Sequence, residues 1–271
     1  MAREYPLVLS VTSGKGGVGK TNLSANLAYE LARVGKRVVL LDADLGLANV
    51  DVVMGLTPSL NLFHLFHEGV GLDKILFETP YGFHILPATS GVSEMLSLTT
   101  AQKLDLLEAM DYLEEKVDYL LVDTGAGIND GVLYFNLAAQ ERLVVVTPEP
   151  TSLTDAYALI KVLKLNHGVE HFKVVLNMTP DARTAKDIFT RLYNACDHFL
   201  SGVSLDLAGF IPQDRGVRQA VIKQTPFCHL LPDSPASKAV RQMAQTIQTW
   251  DVATNLDGNI KFFWKKLLFQ Q

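Results

Sequence analysis

The stretch SGKGGVGKTN, residues Ser13 to Asn22, decides the fold class expected for this chain of 271 residues. Within it, Gly14 to Thr21 match the pattern G-x-x-x-x-G-K-[ST], in which glycines let successive backbone N–H groups point at phosphate oxygens. The preceding apolar run, residues 7–11, predicts a buried strand. The amphipathic pattern from Lys20 onward predicts a helix, whose N-terminal end favours anions. The stretch therefore predicts a strand–loop–helix unit that binds phosphate.

This loop contains two lysines, although binding of phosphate by the motif requires one. Lys20 occupies the position that reaches the β- and γ-phosphates of a nucleotide, and the Thr21 hydroxyl occupies that of a Mg²⁺ ligand. Lys15 has no assigned role in the motif, and a solvated loop charge is the alternative to a functional role for it. The other candidate nucleotide-binding residues of the loop are Gly14, Gly16, Gly17, Val18, Gly19 and Asn22.

Composition is that of a globular protein, with 48% apolar and 20% charged residues. The net charge of −5 argues against a general nucleic-acid binder, and no sequence-specific nucleic-acid binding is expected. Cys196 and Cys228 form no C-x-x-C pair, so neither a disulfide framework nor a zinc site is predicted. We find no secretory signal and no apolar run of about 18 residues, which favours a cytoplasmic location.

Apolar runs alternate with stretches of helical period, which predicts an α/β fold: a mostly parallel sheet with helices on both faces. The predicted strands are residues 7–12, 37–42, 83–87, 118–123, 142–147, 172–177 and 206–211. The predicted helices lie near residues 20–34, 100–115, 130–139, 152–166, 184–200 and 234–250.

Acidic residues follow two of the predicted strands. Asp42 ends one strand and Asp44 follows it, and Asp123 ends another strand, ahead of a turn containing Gly125 and Gly127. Ligands of such sheets bind beyond the carboxyl ends of the strands, where a carboxylate near a phosphate-binding loop can hold Mg²⁺. A single aspartate after a strand is more often a cap or turn former. The combination with the loop favours a metal-assisted phosphate site.

The sequences KGGVGKT, DAD and VDTGAG together resemble the deviant Walker A ATPases of the MinD and ParA type, over almost the whole chain. The resemblance implies a P-loop NTPase that binds ATP and Mg²⁺ and forms an ATP-dependent homodimer. It implies that Lys15 reaches the nucleotide of the partner subunit and acts in catalysis with Lys20 and Asp44, Asp44 positioning the water. Asp42 and Asp123 match acids around Mg²⁺, with Thr21 as a further ligand, and Asn49 matches a switch-region asparagine.

The same resemblance predicts where the nucleotide base binds. In this family the base pocket follows a late strand that ends in asparagine and a G-x-I-P-x-D turn. The sequences VVLNM and GFIPQD supply Asn177, Pro212 and Asp214. An amide can pair as both donor and acceptor with an adenine edge, which favours ATP over GTP.

Within the family, the segment Thr147 to Leu163 and the sequence DTGAGI most resemble the FlhG (FleN, YlxH) branch. That branch implies control of flagellar number and placement, with an FlhF-like GTPase and flagellar basal-body or regulatory proteins as partners. The alternatives are a MinD-like division-site regulator, a ParA-like DNA-partitioning ATPase and, on the P-loop alone, a metabolic ligase.

The C-terminal sequence NIKFFWKKLLFQQ divides the chain into an ATPase domain at 1–250, a linker at 251–258 and an amphipathic helix at 259–271. This segment carries +3 and has an apolar face at helical spacing, formed by Ile260, Phe263, Trp264, Leu267 and Leu268. It resembles the membrane-targeting helix of MinD and FlhG, which implies binding to anionic lipid at the inner face of the cell membrane. A last helix packed on the domain or on a dimer partner is the alternative.

Overall fold

The computed structural model describes residues 6–44, 50–87, 99, 113, 114, 116–250 and 265. Eight strands of this part form one sheet. Their bounds are β1 Leu7–Ser13, β2 Val38–Ala43, β3 Phe77–Glu78, β4 His84–Pro87, β5 Tyr119–Ala126, β6 Glu141–Val146, β7 His171–Thr179 and β8 Ser204–Pro212.

The strand order is β3-β4-β2-β5-β1-β6-β7-β8. All neighbouring strands pair in parallel except β3 and β4, which are antiparallel. β1 lies near the middle, between β5 and β6, so the segment that follows it begins at the centre of the sheet's carboxyl edge. The predicted α/β fold with a mostly parallel sheet is confirmed.

Helices follow most of the strands. Their bounds are α1 Lys20–Arg33, α2 Val50–Met54, α3 Leu62–Glu68, α4 Leu72–Ile75, α5 Asp130–Ala138, α6 Pro150–His167, α7 Ala182–Phe199, α8 Arg215–Ile222, α9 Phe227–Leu230 and α10 Pro235–Gln248. Ordinary capping chemistry sets several starts: the side chains of Asn129, Asp181 and Ser234 each accept a backbone N–H in the first turn that follows.

The sheet is buried on both faces, as its near-continuous apolar strands require. In β1, Leu7, Leu9 and Val11 pack with α1 and α10 on one face, whereas Val8 packs on the other face with residues of α5. Further along the second face, α6 and α7 cover β6, β7 and β8. The period-2 alternation of side chains thus joins one central strand to two apolar layers.

Each of the seven predicted strands overlaps an observed one, but the two-residue strand β3 was not predicted. Helices α2, α3, α4, α8 and α9 were also not predicted, because none exceeds eight residues and none repeats its apolar period. The helix predicted at 100–115 lies almost entirely outside the described residues, as do the linker and C-terminal segment apart from Lys265. Among the described helices, none is long and apolar enough to span a bilayer.

Candidate nucleotide-binding site

The predicted site residues meet at the carboxyl edge of the sheet. β5 lies between β1 and β2, so the loop after β1 is close to the acids that end the other two strands. Asp42 and Asp123 are directly opposite each other in the register of β2 and β5. Residues far apart in the chain are therefore neighbours because parallel strands end at one edge.

Two glycines of the loop are required by contacts with distant segments. A Cβ atom at Gly14 would lie 2.1 Å from the backbone oxygen of Asp155 in α6. Gly19, with a φ of 90°, precedes α1, and a Cβ there would lie 2.5 Å from Nδ2 of Asn177. At these two positions the loop is fitted between α6 and the end of β7 with no room for a side chain.

Lys20 is buried at the start of α1, with 7% of its surface exposed. Its Nζ donates a hydrogen bond to the Ser13 hydroxyl at 2.9 Å, and this hydroxyl donates to the backbone oxygen of Lys15 at 2.7 Å. Burial lowers the pKa of Lys20, while the negative charges of Asp123 and Asp44 oppose that shift. Ser13 therefore connects the two lysines of the loop, a role that sequence reasoning did not assign.

Asp123 is fully buried at the end of β5. Its Oδ1 accepts a hydrogen bond from the Ser24 hydroxyl at 2.9 Å, whereas its Oδ2 has no hydrogen-bond partner among the described residues. Burial raises the pKa of Asp123 to about 6, and the nearby charge of Asp44 adds to the rise, although the Thr21 and Ser24 hydroxyls and Lys20 oppose it. A buried carboxylate oxygen without a donor fits a site for a hydrated cation.

Sequence reasoning missed Ser24. A polar residue on the buried face of an amphipathic helix is the signal that could have identified it. Its hydroxyl donates to Asp123 and lies one turn after Lys20, whose backbone oxygen is a second partner at 3.0 Å.

The Asp42 carboxylate contacts the start of α2 and the backbone of Asp44. Asp42 is buried, and its carboxylate accepts the backbone N–H of Val50 at 3.1 Å and that of Asp44 at 3.3 Å. Oδ1 of Asp44 would lie 3.3 Å from a Cβ atom at Gly125, so the missing side chain of that glycine gives Asp44 its space. Asn49, the predicted switch residue, lies outside the described residues.

Lys15 bends back onto its own chain. Its Nζ forms an ion pair with the Glu149 carboxylate and donates a hydrogen bond to the Thr151 hydroxyl at 2.8 Å. Both partners belong to the segment where α6 begins, and sequence reasoning assigned a role to neither. In the single chain, the Lys15 side chain therefore contacts the start of α6, and its action on a partner subunit stays a prediction.

A cavity of about 320 Å³ lies beside the loop and contains all three predicted base-pocket residues. Its lining residues are Gly19, Asn22, Leu23, Asn177, Met178, Ile211, Pro212, Gln213, Asp214, Val217, Arg218, Val221 and Phe227. These come from the loop, α1, the ends of β7 and β8, α8 and α9, so the cavity continues from the phosphate-binding loop.

Two of the predicted base-pocket side chains already have partners in the chain. Asn177 donates from Nδ2 to the Val18 oxygen at 2.7 Å and accepts the Met178 N–H at 2.9 Å, which leaves one N–H and one lone pair for a ligand. Asp214 accepts N–H groups from Gly216 and Ala236 at the starts of α8 and α10. Asp214 thus shapes the cavity by fixing two helices.

Comparisons with known proteins agree with this geometry. The sequence profile of the CobQ/CobB/MinD/ParA nucleotide binding domain matches residues 9–227. The chain is 46% identical to the antiactivator FleN of Pseudomonas aeruginosa, over 99% of this chain and 96% of FleN. It is 31% identical to the flagellum site-determining protein YlxH of Helicobacter pylori, over 96% and 89% of the two chains. A chain of the MinC:MinD cell division protein complex of Aquifex aeolicus superposes with a TM-score of 0.72 and 28% identity, covering 92% of this chain and 98% of that one.

The substitution Asp123→Asn is expected to stabilise the nucleotide-free protein at neutral pH, because it replaces a buried negative charge with a neutral amide that can still accept from Ser24. The pKa of Asp123 is about 6 in the folded chain, against about 3.9 for an unfolded aspartate. Wild-type protein should therefore lose stability as pH rises from about 4 to about 6, by at most about 3 kcal/mol. Urea denaturation of both proteins across this range measures the effect.

The matched control is Asp206→Asn, since Asp206 is an exposed aspartate that bonds Lys173 at 2.7 Å. Its effect on the free energy of unfolding should be within about 1 kcal/mol. A stability difference between wild type and Asp123→Asn that does not change with pH would contradict the assignment of a buried, unsatisfied carboxylate.

Proposed function

The chain belongs to the CobQ/CobB/MinD/ParA nucleotide-binding family, and we propose that it is a membrane-cycling ATPase that dimerises with ATP and regulates the number or placement of flagella. The support for the flagellar role is its similarity to FleN and YlxH along nearly the whole chain. The observation that carries the ATPase proposal is the buried arrangement of Lys20 and Asp123 beneath a phosphate-binding loop.

The first step of the proposed cycle is the binding of ATP. The loop N–H groups and Lys20 bind the phosphates, and the phosphate charge compensates a lysine that is otherwise poorly solvated. Thr21, Asp42 and Asp123 would hold Mg²⁺, directly or through its waters. The chemistry that bound Mg²⁺ supplies is neutralisation of charge on the β- and γ-phosphate oxygens.

Asp44 is proposed to orient the attacking water. It follows the strand whose Asp42 lies opposite Asp123, and it lies beside the glycine turn after β5. A partly exposed carboxylate at this place can accept a proton from water as the water attacks the γ-phosphate. Lys15 of the partner subunit would supply the positive charge that stabilises the transferring phosphoryl group, as an arginine finger does.

The membrane part of the proposal rests on the C-terminal segment 259–271. Trp250, the last residue before the predicted linker, has its ring centroid 5.2 Å from Nζ of Lys173 near the amino end of β7. This is the edge of the sheet opposite the nucleotide site. One short amphipathic segment binds lipid weakly, whereas a dimer presents two of them, so ATP would control membrane binding through valency.

The substitution Asp44→Ala is expected to leave ATP binding intact and to lower hydrolysis by about 100-fold or more, because it removes the group that orients water. The variant should accumulate as an ATP-bound dimer. Steady-state phosphate release and nucleotide titration calorimetry measure the two properties. Hydrolysis at the wild-type rate would show that another group orients the water.

The two lysines of the loop are expected to give different defects. Lys20→Ala should lose nucleotide binding, since the buried ammonium is the phosphate contact within the subunit. Lys15→Ala should bind ATP as a monomer and lose both dimer formation and hydrolysis. Calorimetry together with light scattering separates these outcomes, and identical defects for both variants would exclude an action of Lys15 in the partner subunit.

The Asp44→Ala protein is expected to sediment with vesicles in the presence of ATP, more strongly with anionic lipid and less at high salt. Deletion of residues 259–271, or replacement of Phe263 and Trp264 by glutamate, should abolish sedimentation while ATP-driven dimerisation persists. Equal binding to vesicles with ATP and with ADP would contradict the proposal that ATP controls membrane binding by bringing two C-terminal segments together. ATP-dependent binding to DNA in place of lipid would favour a partitioning function.

A further inference from the structure

The Lys15 side chain is held by a preformed site in its own subunit. Its Nζ contacts the Glu149 carboxylate and the Thr151 hydroxyl, so two of the three ammonium donors are used within the chain. The backbone of the loop is fixed at the same place, because Gly14 packs against the Asp155 carbonyl and the Ser13 hydroxyl bonds the Lys15 oxygen. The geometry of this contact is therefore set by backbone packing on both sides.

The acidic partner comes from an equally well-fixed segment. Glu149 precedes Pro150, the first residue of α6, and the Ser152 hydroxyl accepts the backbone N–H of Thr147 at 3.0 Å. Thr151 lies in the first turn of the helix. The Glu149 side chain itself remains 62% exposed and that of Lys15 33% exposed, so solvent or another anion has access to the pair.

We propose that Glu149, assisted by Thr151, is a positioning residue that retains Lys15 in its own subunit and sets the threshold for ATP-driven dimerisation. This inference rests on the proposed function, in which Lys15 acts on the nucleotide of a partner. A lysine paired with a carboxylate of its own chain has its charge neutralised and attracts a partner's phosphate weakly. Dimer closure thus requires Lys15 to exchange the Glu149 carboxylate for phosphate oxygens.

The strength of the contact suits a reversible restraint. Exposed ion pairs are weak, so breaking one Lys15–Glu149 contact changes the dimerisation equilibrium by at most about fivefold. A symmetric dimer opens two such contacts, so their removal changes the dimer dissociation constant by at most about 25-fold. The restraint therefore suppresses dimers at low ATP occupancy and yields when both subunits carry a triphosphate.

The first experiment measures the ATP-dependent dimer dissociation constant by analytical ultracentrifugation in the Asp44→Ala background, so that hydrolysis does not interfere. Glu149→Gln should lower this constant several-fold, and Glu149→Asp should restore part of the difference. Glu170→Gln is the matched control: Glu170 is 52% exposed and pairs with Lys164 at 2.6 Å, away from the loop. It should leave the constant unchanged.

The second experiment tests whether the effect passes through Lys15. Acetylation of individual lysines in nucleotide-free protein, followed by peptide mass spectrometry, should be faster at Lys15 in Glu149→Gln and faster at Lys164 in Glu170→Gln. A general loosening of the fold would accelerate both sites in both variants. The double variant Lys15→Ala, Glu149→Gln should stay monomeric with ATP, as Lys15→Ala does alone, and dimer formation by the double variant would show that Glu149 acts through a group other than Lys15.

The outcomes separate this inference from the proposed function. If the Asp44→Ala parent forms no dimer with ATP, the proposed function fails and the restraint fails with it. If the parent dimerises and Glu149→Gln leaves the constant equal or raises it, the restraint alone is overturned. A raised constant would mean that Glu149 supports Lys15 in the dimer.

Discussion

The burial of two ionisable side chains, Lys20 and Asp123, at the carboxyl edge of the sheet is the constraint on which the rest of the site depends. Charges removed from water are costly unless other charges or hydrogen bonds compensate them. Within the described chain, Lys20 has one hydroxyl acceptor in Ser13, and one oxygen of Asp123 has no partner. The fold thus retains polar groups whose full compensation requires phosphate and a cation.

The phosphate-binding loop is held in place by contacts on two sides. On one side, α6 approaches Gly14 so closely that only glycine fits. On the other side, Asn177 at the end of β7 donates to the Val18 carbonyl. The loop therefore contacts both the helix start that holds Lys15 and the wall of the neighbouring cavity. A change in the phosphates has a short physical path to either region.

Much of the fold could be predicted from sequence because the strands are nearly continuous apolar runs and the long helices have a clear period. The predicted site residues Asp42, Asp44 and Asp123 do lie at the ends of two adjacent strands, beside the loop that leads to Lys20. The short helices and β3 were beyond prediction, since a few residues carry too little periodicity. Ser13, Ser24, Glu149 and Thr151 were missed because serine, threonine and glutamate at those places are also ordinary loop and helix residues.

The sequence alone determined the chemistry of the loop: a glycine-rich turn with Lys20 and Thr21 between an apolar strand and a helix is specific enough to indicate phosphate binding. It also determined which acids follow strands. Only the tertiary structure decided which groups those residues contact. Whether the Lys15 ammonium is solvated or paired with Glu149 depends on the packing of α6 against the loop. Whether each carboxylate oxygen of Asp123 has a hydrogen-bond partner depends on the groups that bury it. Both are set by contacts between residues more than ninety positions apart, which local sequence patterns do not encode.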